Sequence, residues 1–364
     1  MIARHHQTSR ALVAAMVAVS VVAFASGCSS SKPATTAVSG TGSSDKRVKV
    51  ALVLPFTGIA FMQHQADGAT TSAQDNNVDL SVVSGQGPDP AAEVKLTNDA
   101  VTAGAKGLVV MPIAPALFNR PLTDASSKGI PIATITIHAE DGNKQAYVGS
   151  SEYQFVEPSI KYLADKWGAD ATGTVVLGTC STGTGILDDR TAAQKRYLAQ
   201  YLPKIKVSGP YVTAQEPGKN YSIWQSVINS HADARLFLGN CPFDGASLAK
   251  AKAADPSAKW QAASLGVGPE MLQAIGKGDL LFGTDEVEWA RAYVAVKLVS
   301  DALRSGKPLQ DGWINTGSDL VTPDNIDTVA KRYNAAGESA KPLFQKFIDM
   351  GLSSSAQPLS ALRP

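Results

Sequence analysis

Catalytic signatures are missing from this 364-residue chain. It holds no G-x-S-x-G elbow, no H-E-x-x-H pair and no G-x-x-x-x-G-K-[ST] loop, which removes the most legible marks of a serine hydrolase, a zinc protease and a P-loop NTPase. Histidine is scarce, with five in all. His5 and His6 lie in the N-terminal leader, and His64, His138 and His231 stand far apart without Cys or carboxylate at ligand spacing, so no metal site and no cofactor are expected. Neither sign of charge dominates: 33 Lys and Arg face 32 Asp and Glu. A basic face able to neutralise phosphates is therefore not expected, and neither is a nucleic-acid partner. Past the leader no apolar run reaches ~18 residues, so no further segment is expected to cross a membrane. Cysteine is limited to three residues.

What is present begins with that leader. Arg4 and Arg10 precede an apolar, small-residue run from Ala11 to Ala25, the layout of a signal peptide over residues 1–27. It ends at Ala25-Ser26-Gly27-Cys28, similar to a bacterial lipobox with Ala25 where Leu is usual. Lipid on Cys28 would anchor the mature chain to the cell membrane without spanning it. Residues 28–46, rich in Ser, Thr and Gly, read as a flexible tether. Loss of the leader removes two Arg and no acid, which turns the formal net charge from +1 to −1.

A hydrophobic fraction of 44% with 18% charged residues suits a globular protein with sizeable cores. From Val48 onward the pattern alternates short apolar runs with amphipathic stretches, the mark of parallel sheets covered by helices. Strands are predicted over 48–54, 79–84, 107–111, 132–137 and 147–149, then over 174–179, 207–213, 235–239, 260–264 and 280–284. Helices are predicted between them, among them 90–102, with Asp89 as N-cap and Pro90 in first position. A long helix over 288–304 follows. The expected fold class is α/β, with two doubly wound parallel-sheet lobes and a ligand cleft between them. One lobe takes 47–150 plus 287–312 and the other 151–286 plus 313–322. Residues 323–364 form a helical tail outside the repeating pattern.

Ligands of open α/β sheets sit beyond the carboxyl ends of strands. The candidates there are Phe56, Thr57, Phe61 and Met62 after the first strand, His138 after the fourth, and Asp189 and Arg190 at the head of a second-lobe helix. Asn240 and Asp244 follow the strand at 235–239, and Asp285, Glu286, Glu288 and Trp289 follow the last one. Charged and amide groups beside flat rings suit a small polyhydroxylated ligand. For single members a helix cap or a surface charge explains the residue equally well. Thr182-Gly183-Thr184-Gly185 reads as an ordinary loop, since no Lys and no G-x-G-x-x-G spacing accompany it. Cys180 and Cys241 each follow an apolar strand, so two readings stand: a disulfide between them, or two separate buried thiols.

Several stretches together resemble the ribose/galactose type of periplasmic binding protein, the sugar-binding lipoproteins of ABC importers. They include KVALVLPFTGIAFMQHQADGA, VKLTNDAVTAGAKGLVVMP, KGIPIATI, YVGSSEYQF, DDRTAAQKRYL, LFLGNC, GVGPEMLQAIGKGDL and DLVTPDNID. The resemblance covers about Val48 to Asp327. It implies a type 1 fold with three hinge crossings, near Ser150, Glu286 and Trp313, and closure on a sugar or sugar alcohol. The family's aromatic pair falls on Phe61-Met62, its arginine on Arg190, its asparagine on Asn240 and its hinge amide on Glu286. Its Asp-Arg pair after the fourth strand falls on Thr136-Ile137, and a later aspartate on Gly266, so two hydroxyl clamps are missing. The implied protein is a monomeric, extracytoplasmic, non-enzymatic receptor whose partner is an ABC permease. A sensor presenting a sugar or furanosyl signal to a receptor is the alternative.

Overall fold

The computed structural model describes residues 47–140, 144–183 and 185–364. The leader, Cys28, the tether and Thr184 lie outside the described residues.

The first lobe is built from β1 (Val48–Leu54), α1 (Ala60–Asp75), β2 (Val78–Ser84), α2 (Pro90–Thr102), β3 (Gly107–Val110), α3 (Pro115–Ser127), β4 (Ile132–Ile135) and β5 (Ala146–Gly149). The second continues with α4 (Glu152–Trp167), β6 (Gly173–Thr179), α5 (Ile186–Tyr201), β7 (Ile205–Val212), α6 (Pro217–Ser230), β8 (Leu236–Gly239), α7 (Pro242–Ala254), β9 (Gln261–Ser264), α8 (Pro269–Lys277) and β10 (Gly283–Asp285). Then come α9 (Glu288–Ser305), β11 (Gly312–Asn315), β12 (Asp319–Val321), α10 (Ile326–Asn334) and α11 (Lys341–Ser353).

The first sheet runs β11-β5-β4-β3-β1-β2 and the second β7-β6-β8-β9. Every pairing within these two sheets is parallel, and β10 pairs antiparallel with β12. β1 is apolar and buried from Val50 to Leu54 because helices cover both faces of that stretch. Val50, Leu52 and Leu54 join the core shared with Trp289, Val296 and Phe344, while Ala51 and Val53 pack with Phe118 and Leu122 of α3. A strand's two-residue period divides them this way. In the second lobe Val176 and Phe237 meet Trp224 and Trp260, while Val175, Leu177 and Leu238 meet Phe155 of α4 and Leu198 of α5.

Local chemistry sets several boundaries. Asp89 accepts hydrogen bonds from the N–H groups of Ala91 and Ala92, with Pro90 at the head of α2, as predicted. β4 stops at Ile135, two residues before the predicted end, because Thr136 takes a left-handed φ of 63°. At Gly68 the backbone of α9 comes so close that a Cβ would lie 2.0 Å from the carbonyl oxygen of Trp289.

The chain passes from the first sheet to the second lobe at Ser150, and returns at Glu286–Val287. The third passage lies at 316–318, later than the expected Trp313, because Trp313 belongs to β11 and pairs with Tyr147 of β5 in the first sheet. Both β11 and β12 were unexpected. In the tail α10 packs on α8 and α11 on α9, so the chain passes back to the first lobe once more. Arg332 of α10 is buried between Asp285 and Asp319, at 2.7 and 2.8 Å. No helix among the described residues is long and apolar enough to cross a membrane.

Candidate functional site

The carboxyl ends of β1, β3 and β4 face those of β6 and β8 across a cavity of about 300 Å³. Phe56, Phe61 and Met62 line it from the loop after β1 and the head of α1. Met111, Ile113 and Ile137 line it from β3 and β4, and Ile186, Arg190 and Phe243 from the second lobe. Glu286, at the second passage between lobes, completes the wall. Cys180 and Cys241 also lie in the wall and are joined as a disulfide, with Cα atoms 6.2 Å apart. Their strands β6 and β8 are neighbours, which brings both sulfurs to one sheet edge.

A second hollow of about 620 Å³ adjoins this cavity and shares Thr136, Ile137 and Ile186 with it. His138, Asp189 and Arg363 lie on its lining. A third hollow, of about 470 Å³, opens at the amino ends of β4 and β5. Open α/β sheets do not use those ends for ligands, so the first two carry the site.

Under the cavity a chain of buried charges runs from one lobe to the other. Arg190, 2% exposed, donates from Nε to Glu152 at 2.6 Å, from Nη1 to the carbonyl of Asn240 at 2.9 Å and from Nη2 to Glu286 at 3.3 Å. Its guanidinium lies 4.4 Å from the ring centre of Phe155. Glu286 in turn accepts from Arg291 at 3.2 Å, and Arg291 donates to Glu288 at 2.6 Å and to the Ser150 hydroxyl at 2.8 Å. Glu288 then accepts from Thr136 at 2.6 Å and from Gln65. Two guanidinium groups and three carboxylates thus bridge the residues at the first two passages between lobes.

Burial and pairing pull these groups in opposite directions. Burial raises the carboxyl of Glu286, but Arg190 and Arg291 on either side outweigh it and hold it below the ordinary range. For Glu288 burial wins over Arg291, and its carboxyl is pushed up to about 7. Burial likewise raises Glu152 against the pull of Arg190. Arg190 itself is held above the usual range because Glu152 and Glu286 outweigh its burial.

Of the predicted site residues, Phe56, Phe61, Met62, Arg190 and Glu286 come together on the cavity, while His138 and Asp189 lie on the adjoining hollow. Thr57 is on the first loop but lines neither. Three others differ from the expectation. Asn240 is fully buried, and its amide nitrogen donates to Thr179, Thr191 and the carbonyl of Leu187. Asp244 accepts from Thr213, Asn220, Trp224 and the N–H of Asn240, and so organises the interior of the second lobe. Trp289 donates to Asp67 at 2.6 Å and stacks between Tyr293 and Phe344. Each follows a strand end, but its side chain turns into the interior.

Glu152 and Arg291 were missed. Arg291 stands three residues after Glu288 on α9, a spacing that places both on one helix face and was legible. Cys180, Cys241 and Asp244 bring possible metal-ligand atoms within 4.8 Å of one another, but the two sulfurs are bonded to each other. Ser208 and His231 form a hydroxyl–imidazole pair at 3.3 Å. It lies by a separate hollow on β7 and α6 that shares no lining residue with the cavity.

The sequence profile of the periplasmic binding protein domain matches residues 50–308. The chain belongs to the periplasmic binding protein family. This binding protein is 24% identical over 281 residues to the xylose/arabinose-binding protein XylF of Sulfolobus acidocaldarius, which covers 70% of this chain and 67% of that one. Its fold matches GanP, a glucose-galactose binding protein of Geobacillus stearothermophilus, with TM-score 0.70 at 19% identity, over 77% of this chain and 99% of the other. A solute-binding protein of Burkholderia graminis, solved in complex with D-arabinose, matches with TM-score 0.70 at 21% identity, over 77% and 96% of the two chains. The type 1 binding-protein fold expected from the sequence is thus the fold of the chain.

Proposed function

We propose that this binding protein captures a small carbohydrate or sugar alcohol between its lobes and delivers it to the permease of an ABC importer. The observation that carries the reading is a cavity lined from both lobes with a hinge residue, Glu286, in its wall. A ligand there touches both lobes and the crossing at once, so its contacts favour the closed form by their differential affinity. The relatives bear on the ligand class: XylF is a xylose/arabinose-binding protein, GanP a glucose-galactose binding protein, and the Burkholderia graminis protein was solved with D-arabinose. The family acts outside the cytoplasm, and lipid on Cys28 is the proposed tether to the membrane.

A thermal-shift screen of the mature protein against pentoses, hexoses, deoxy sugars and short polyols tests the ligand class. A ligand at 100 times its dissociation constant stabilises by ~2.7 kcal/mol, a plainly visible shift. Silence across the panel would refute the carbohydrate reading. Cys28→Ser should move the protein from the membrane to the soluble fraction; continued membrane association would refute the lipid anchor.

A further inference from the structure

The amino ends of the first sheet carry an excess of one charge. Its strands are parallel in the order β11-β5-β4-β3-β1-β2, so their starts form one edge, ~24 Å long at ~4.8 Å per strand. An exposed cation stands at each start. Lys307 precedes β11, Lys144 β5, Lys128 β4 and Lys106 β3, while Arg47 and Lys49 open β1. Arg304 serves β2, since its guanidinium donates to the carbonyls of Asn76 and Asn77 just before that strand. No ion pair between described residues includes any of these cations. Carboxylates on the edge are fewer. Asp79 lies across from Lys49 in the β1–β2 register, Asp311 accepts from the N–H of Gln145 at 2.9 Å, and Asp75 is balanced by Lys341. The amino ends of the second sheet carry mixed signs instead. Lys204 pairs there with Asp170 at 2.7 Å, and Asp233 and Asp255 stand just before Arg235 and Lys259.

Two further features point to a membrane as the anion. The hollow of about 470 Å³ at this edge is lined by Ile130, Pro131, Leu303 and Leu309 together with Lys144 and Lys307. Apolar floor and long cationic side chains suit the boundary between lipid headgroups and acyl chains. The chain outside the described residues also joins this edge, at Arg47, and carries the proposed lipid on Cys28.

We propose that this basic edge docks on the anionic headgroups of the membrane that anchors the protein. The cleft lies at the opposite ends of the same strands, so the docked protein holds it toward the solution. Such attraction is screened by salt, so without its lipid the protein leaves the membrane at physiological salt. With the lipid, the tether keeps the edge at high local concentration. The choice of a membrane rests on the Cys28 reading, and nothing in it depends on the ligand.

The test is co-sedimentation of the mature chain, carrying Cys28→Ser, with lipid vesicles. Vesicles of equal parts phosphatidylglycerol and phosphatidylcholine should bind it at ~20 mM salt, and ~10-fold or more weakly at ~150 mM. Pure phosphatidylcholine should bind ~10-fold or more weakly at either salt. Lys128→Glu, Lys144→Glu and Lys307→Glu together should cost ~10-fold or more on the anionic vesicles. Lys206→Glu with Lys259→Glu, at the amino ends of the second sheet, should leave binding unchanged. All five side chains are exposed, so both variants should keep the parent's melting temperature. Equal binding to the two vesicles, a triple variant that binds as the parent does, or an equal loss in the second-sheet variant would overturn the inference. Duplex DNA bound as tightly as the anionic vesicles would overturn it too. None of these results bears on lipid at Cys28, which the fractionation above tests separately.

Discussion

Glu93 offers the clearest electrostatic test. It lies on α2 with no exposed surface, and its Oε2 accepts only the N–H of Ile113, at 3.3 Å, while Oε1 has no hydrogen-bond partner. Burial pushes its carboxyl from the ordinary 4.5 up to about 8, against the smaller opposing effect of that N–H. Between these two values the unfolded chain has released the proton and the folded chain keeps it. The unfolded state then binds fewer protons, so stability falls as pH rises through the window. At ~1.4 kcal/mol per pH unit the full loss approaches ~5 kcal/mol, and relaxation of the site reduces the expected value to ~1–3 kcal/mol. Glu93→Gln keeps an oxygen for the Ile113 N–H and has no proton to lose. Urea unfolding of both proteins from about pH 4 to about pH 9 should therefore show the variant gaining on the parent as pH rises, by ~1–3 kcal/mol. Parallel stability curves across that range would refute the reasoning. Ile113 lines the cavity, so the same titration should loosen one wall of the site in the parent protein.

Arg190→Met leaves Glu152 buried without its partner and Glu286 with Arg291 alone, and should lower unfolding stability by ~3–5 kcal/mol; a chemical-denaturation midpoint equal to the parent's would show the ion pairs of Arg190 to be dispensable. Gly68→Ala drives a Cβ into the Trp289 carbonyl at 2.0 Å and should cost ~1–3 kcal/mol in the same assay, whereas an unchanged midpoint would mean that α1 and α9 separate freely. Replacing Cys180 and Cys241 together by Ser opens a loop of 61 residues and should cost ~4 kcal/mol by the chain-entropy account. The parent treated with reductant should fall to the same melting temperature, and insensitivity to reductant would show that the bond contributes nothing.

Much of the fold was legible because its signals are local. Asp89 and Pro90 mark the start of α2 to the residue, and short apolar runs mark most strands of both sheets. β11 and β12 escaped notice because four and three residues carry too little periodicity to stand out from a loop. The candidate site was legible in its aromatic half. Phe56, Phe61 and Met62 follow the first strand directly, where topology alone brings them to the cleft. The polar half was harder, because Arg190 finds its carboxylates 38 and 96 residues away in the chain. A charge after a strand also reads the same whether it faces a cleft or turns inward. That is why Asp244 looked like a ligand contact and Glu152 went unnoticed.

The return of the tail to the first lobe has a mechanical consequence. Strips of backbone that join two bodies side by side act as flexures in parallel, and each added strip narrows the motions that cost little. Two strips leave twist and shear soft; four, at Ser150, Glu286, 316–318 and between α10 and α11, leave both stiffer. The fourth strip is held at each end, by Arg332 against Asp285 and Asp319 and by Phe344 and Phe347 in the first-lobe core. Residues far from the cavity in sequence thereby add to the ties between its two walls.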